Sequence, residues 1–341
     1  MKYLKGKQFP EKSFRDKIAM QADTGNSDLS SEDWRHYPWP LIDFQITDFP
    51  HWRAGTKLDT KSMLSDIVSF QAKIENHRPA MTSQSVYHFV DNILSGELIG
   101  TYSDKYETQR IVQRAIQDGD FEPDGDIITR AFIETLNVIR GYLFICDIAQ
   151  STIDHDNENV GLIDKELLIQ DLHVILMSDL MKGTQTPAGQ FSLLRRFTTF
   201  EGMKYEYPHV PSQEGWGVLD QLFDRYNLLL TRIKKIDHDP MLKLELFFKC
   251  AAWVIQNFIH WHPFSDGNGR LARLLLAYIL RTEFPFNVTL DNRNYVRVLC
   301  ACHKDMGYDK RGLSNFTAFL IQCTWQTCLG LNTYDAEGRA P

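Results

Sequence analysis

The sequence predicts a mostly α-helical body carrying one β-hairpin, and three observations predict it. Apolar residues recur at three- and four-residue steps along most of the chain after residue 60. One stretch, residues 196–207, is instead rich in β-formers around Glu201 and Gly202 and is closed by Pro208 and Pro211, which is a hairpin pattern. Prolines crowd the first 60 residues, where Pro38, Pro40 and Pro50 stand among Trp34, Trp39 and Trp52 and forbid long helices.

Taken in order, residues 1–60 form an extended arm whose aromatic side chains gain by packing over the body. Residues 61–165 form an N-terminal helical region. Met63, Ile67, Phe70 and Ile74 share one helix face, and Val86, Phe89, Val90, Ile93 and Leu94 another; further helices are expected over 107–116 and 127–148. An acidic loop at 154–159 clusters oxygen ligands but lacks the glycine and terminal glutamate of a calcium loop, so a solvated loop is favoured. Residues 166–330 form the core, with helices over 165–181, 217–235 and 241–261, and residues 331–341 are a tail. A lone hairpin is marginal by itself and must lean on this body.

The 341 residues are 43% apolar and 24% charged, as in ordinary soluble globular proteins, and carry a formal net charge of −7. That balance argues against a nucleic acid polymer as partner, because such proteins need a basic stripe. No apolar run reaches the roughly 18 residues of a membrane span, and no apolar stretch follows the basic start, so a cytoplasmic setting is the default and secretion as an effector stays open. The six cysteines form no paired CxxC spacing. Cys300, Cys302 and His303 suggest zinc, but a helix there would turn the two thiols to nearly opposite sides, which favours buried free thiols.

The chemistry-bearing segment is His262, Pro263, Phe264, Ser265, Asp266, Gly267, Asn268, Gly269, Arg270, Leu271, Ala272, Arg273. Apolar helical patterns precede and follow it, so the loop has a rigid mount. Gly267 and Gly269 allow close backbone approaches, and their amides with the next helix N-terminus make an anion-binding concavity. Arg270 and Arg273 share a helix face and can hold phosphate oxygens. Asp266 can hold Mg²⁺ together with those oxygens. Asn268 tolerates a left-handed backbone and can donate or accept nearby. His262 ordinarily titrates near neutrality and is the natural general base. A metal-ligand reading of His260, His262 and Asp266 suits a strand better than the helix expected here. Phosphate chemistry is favoured.

This segment resembles the Fic family, whose signature HPFx(D/E)GNGRxxR it matches without a mismatch. The resemblance implies a helical bundle with a hairpin "flap" and an Mg-ATP-dependent transfer of AMP to Ser, Thr or Tyr hydroxyls of target proteins. Transfer of another phosphate-containing group, removal of AMP, self-modification, or a non-catalytic ATP-binding module are the alternatives. His262 would take the hydroxyl proton, Asp266 would hold Mg²⁺, and Gly267, Asn268, Gly269, Arg270 and Arg273 would hold the phosphates. Leu172, His173 and the Ala188–Gly189–Gln190–Phe191 run resemble the stretch leading into the flap, whose Glu201, Gly202 and Met203 would pair with the target's backbone. Ser192 stands where relatives often have Arg, with Arg195 and Arg196 displaced. Tyr295 would line the adenine pocket, and His303 stands where relatives often place Asn. The family's inhibitory pattern, (S/T)xxxE(G/N), has Ile99 in place of its Glu in the run from Ser95 to Gly100. It is met from Thr333 to Gly338, making Glu337 a candidate brake; Glu97 from a shifted turn, or no brake at all, are the other options, the last favoured.

Overall fold

The computed structural model describes residues 41–46, 59–74, 83–95, 105–118, 129–155, 159–181, 186–200, 203–208, 212–304 and 310–336. In chain order these are α1 (Thr60–Ile74), α2 (Ser83–Ser95), α3 (Lys105–Gln113) with a π-helical turn (Arg114–Asp118), and α4 (Arg130–His155). A second π-helical turn (Glu166–Asp171) leads into α5 (Leu172–Met177), and then come β1 (Phe197–Phe200) and β2 (Met203–Glu206). The chain ends with α6 (Ser212–Lys234), α7 (Pro240–Trp261), α8 (Asn268–Glu283), α9 (Asn292–Lys304) and α10 (Lys310–Ala336). The mostly helical expectation holds, with a two-stranded antiparallel sheet among the described residues.

The central element is α7. The Asp239 side chain accepts from Leu242 N at 2.9 Å, and Pro240 sits in the first turn, where its missing N–H costs nothing. Every residue from Leu246 to Trp261 is buried, so the helix is enclosed on all sides, wrapped by α1, α6, α8 and α10. Its neighbour α8 packs against α4 so closely that a Cβ at Gly141 would lie 2.8 Å from Leu274 Cδ1. Helices α7 and α8 bracket the 262–267 loop, and their burial fixes both of its ends.

In the described part of the arm, Leu41, Ile42 and Phe44 are buried in the core, and Lys310 Nζ donates to Asp43 O at 2.8 Å. The rest of residues 1–58 lies outside the described residues. The expected 165–181 helix divides into the π-helical turn and the short α5. The C-terminal expectation needs correction, because α10 runs unbroken through Gly330 to Ala336. Glycine costs a helix interior about 1 kcal/mol. Burial of Leu313, Phe316, Phe319, Leu320 and Cys323 on α10 outweighs that cost. All six cysteines are buried free thiols, and among the described residues no helix is long and apolar enough to cross a membrane.

Candidate active site

The loop begins with a backbone reversal. His262 caps α7 in the left-handed region at φ 45°, its N–H bonded to Phe258 O at 3.0 Å. Among non-glycine residues, Asn, Asp and His tolerate that conformation best, though at some cost. The second left-handed residue is Gly267, at φ 78°, which starts α8. A Cβ there would stand 2.6 Å from Met177 Sδ, so Gly267 is required by both its angle and its surroundings. This corrects the expectation for Asn268, which is helical and buried. Its Oδ1 accepts from Phe264 N at 3.0 Å and its Nδ2 donates to Phe264 O at 2.7 Å. The Asn268 side chain is therefore occupied in stapling the loop, and only its backbone amide remains for an anion.

His173 is the second clamp, and the sequence named it without a role. Its ring is buried and stacks on Phe264, with centroids 3.8 Å apart. Gly189 N donates to Nδ1 at 2.7 Å, so the proton resides on Nε2, which lies 3.0 Å from Asp266 O and donates to it. One neutral imidazole thus ties the Ala188–Phe191 turn to the residue expected to hold Mg²⁺. Burial pulls its pKa down from 6.5 to about 4, against the opposing pull of the Asp266 carbonyl. The unfolded chain therefore binds this proton first. The stabilisation is complete above pH 6.5, declines as the pH falls from there, and is lost below about 4. The difference amounts to about 3 kcal/mol. Urea unfolding at pH 7 and pH 4.5 should show this decline in the wild type and a flatter dependence in His173→Gln.

Around the loop, Phe191 forms an antiparallel bridge with Phe264, and Ser192 N donates to Pro263 O at 2.9 Å. The hairpin leans on the same place. β1 and β2 pair from Phe197↔Glu206 to Phe200↔Met203. Glu201 and Gly202 lie outside the described residues, and of Met203 only the backbone is described. Leu193, Leu194 and Phe197 are exposed at the root of the hairpin, with Lys204 Nζ 3.9 Å over the Phe197 ring. His262 is partly exposed, and its ring stacks on Tyr207 at 3.8 Å with 9° between planes.

Charge gathers beyond the loop. Arg270 is 3% exposed, and its Nε and Nη1 are buried without a hydrogen bond, Glu134 Oε1 standing 4.0 Å from Nη1. Its Nη2 lies 3.5 Å from Asp266 Oδ1, while Arg130 Nη2 lies 3.5 Å from Oδ2 and Arg130 Nε donates to Glu134 Oε1 at 2.9 Å. The Asp266 side chain is 45% exposed. An accessible carboxylate beside a buried guanidinium with unused donors is a donor set that fits a divalent cation and an anion such as phosphate. Arg130 and Glu134 were missed by the sequence reading, and their four-residue spacing on α4 was the available signal.

Arg273 is buried on α8, its guanidinium 5.1 Å from the Tyr295 ring centre, beside a cleft to which α2 contributes Phe89, Asn92 and Ile93. Tyr295 is 1% exposed and packs edgewise on Phe316. Its ring lies against Arg273, so in this structure it supports that guanidinium. The side chain of His303, and all of Glu97, Ile99 and Glu337, lie outside the described residues.

Residues 163–280 match the profile of the Fic/DOC family. The chain is 31% identical over 139 residues to a protein of Ostreid herpesvirus 1 named ribonucleoside-diphosphate reductase small chain, covering 39% of this chain and 22% of that protein. It is 25% identical over 211 residues to a protein adenylyltransferase Fic of Aedes aegypti, covering 58% of this chain and 37% of that protein. The match thus spans only 22% and 37% of the length of these two relatives. A Fic-domain-containing signaling protein of Bacteroides thetaiotaomicron shares the fold, with a TM-score of 0.57 at 20% identity, over 82% of this chain and 97% of that one.

Proposed function

From the Fic/DOC-family domain that the chain carries over residues 163–280, we propose that it is an Mg-ATP-dependent protein adenylyltransferase acting on Ser, Thr or Tyr hydroxyls of other proteins. The observation that carries this reading is the pairing of Arg270's unused buried donors with a half-exposed Asp266, four residues along the loop from a partly exposed imidazole beside a hairpin. The name of the Aedes aegypti relative supports the choice of AMP as the transferred group.

In this mechanism His262 accepts the proton of the target hydroxyl as its oxygen bonds to the α-phosphorus, and the bond to the pyrophosphate oxygen breaks in line. Arg270 and Arg273, with the amides at the start of α8, neutralise charge on the departing pyrophosphate. Asp266 would hold Mg²⁺, which would supply charge stabilisation to the transferring group. The hairpin presents an open edge to which a target strand adds, so its hydroxyl arrives beside His262.

Incubation with α-labelled and γ-labelled ATP tests the proposal. The α label should appear on protein and the γ label should not. A γ label on protein would mean kinase chemistry. Thermal stabilisation by ATP with no label on any protein, itself included, would leave a non-catalytic ATP-binding module.

A further inference from the structure

We infer that Arg196 and Tyr207 are positioning residues for His262, clasping it by backbone and ring so that hairpin and base form one mechanical unit. The functional consequence rests on the reading of His262 as the base; the clasp itself does not.

The two residues face each other at the root of the hairpin. The ladder's first pair is Phe197↔Glu206, and one step further out Tyr207 N donates to Arg196 O at 3.0 Å. From that position the Arg196 guanidinium turns inward. Its Nη1 donates to His262 O and its Nη2 donates to Pro208 O. From the opposite strand the Tyr207 ring lies flat against the imidazole.

A left-handed non-glycine residue persists only where its surroundings over-determine it, and the His262 carbonyl is the handle by which Arg196 does so. Arg196 is also an expensive residue for its place. It is 9% exposed, its Nε is buried without a partner, and among the described residues its hydrogen bonds go to two carbonyls and no carboxylate. Burial pulls its pKa down from 12.5 to about 10. A buried cation without a counter-ion weakens a fold, and a neutral side chain would serve mere packing better. What the fork supplies is two donors at a fixed angle, joining the loop to the chain that leaves the hairpin.

The expected signature is loss of turnover at constant nucleotide affinity. In Arg196→Gln, kcat for AMP transfer should fall about 100-fold, as misplacement of a reacting group by about 1 Å does, with Kd for ATP within about threefold of wild type. Arg196→Lys, which reaches one carbonyl, should restore part of kcat. Tyr207→Phe should keep the rate and Tyr207→Leu should lose it. NMR of the His262 Cε1–H in the unliganded protein reads the clasp without any activity. Ring current should hold it upfield in wild type and Tyr207→Phe, and the shift should disappear in Tyr207→Leu and change in Arg196→Gln. Wild-type kcat and an unmoved His262 resonance in folded Arg196→Gln would overturn the inference. So would equal losses of melting temperature, ATP affinity and rate in Arg196→Lys, which would make Arg196 structural only. A wild-type protein that transfers no AMP yet shows the expected shifts would defeat the functional reading and leave the clasp standing.

Discussion

Replacing His262 by Asn should lower AMP transfer by about 10²–10⁴-fold while ATP binds within about threefold of wild type. The proposed phosphate donors are Arg270, Arg273 and the first amides of α8, and none of them depends on the imidazole. Asn is the better test than Ala, because position 262 is left-handed at φ 45°, where Asn is tolerated and Ala is penalised by about 1–2 kcal/mol. His262→Ala should therefore lose both rate and melting temperature, and His262→Asn mainly rate. Single-turnover labelling beside calorimetry of ATP binding separates the two effects. Unchanged turnover in His262→Asn would remove the imidazole from the chemistry.

The second large effect belongs to Asn268→Ala. Both amide atoms of Asn268 are used by the backbone of Phe264, in a buried place where water cannot replace them. Truncation orphans a buried N–H and a buried C=O, at about 1–3 kcal/mol each. The unfolding free energy should fall by roughly 2–6 kcal/mol, read from the urea midpoint at constant slope. Asn268→Asp should also destabilise, since a carboxylate accepts from Phe264 N but cannot donate to Phe264 O. Were Asn268→Ala to weaken ATP binding with stability unchanged, the side chain would be a ligand contact and not a staple.

The asymmetry between what was legible and what was not follows from the range of each interaction. The helices around residues 63–74, 86–94, 217–235 and 241–261 were readable because amphipathic periodicity is local, and the hairpin because β-formers flanked a turn pair. The 262–273 loop was readable as a site because its chemistry is contiguous. The long α10 was not foreseen, since glycine and a weak pattern hid a helix that burial stabilises. At finer grain, residue type points Tyr295 and Asn268 at a ligand, whereas the fold places one against Arg273 and the other on Phe264. His173, Arg196 and Tyr207 come from segments 55 or more residues from the loop, and no spacing in the chain announces which of them the topology will bring to it. Fold class and chemistry are written locally, but the supports of the chemistry are not.

The double staple of Asn268 on Phe264 has a consequence for how a nucleotide arrives. Because protein groups already satisfy the turn, its shape does not wait for a ligand, and the entropy of ordering it falls on folding and not on association. On the proposed function, a triphosphate would meet a rigid mould, and its rate of capture would be governed by diffusion and charge instead of by a preceding rearrangement of the loop.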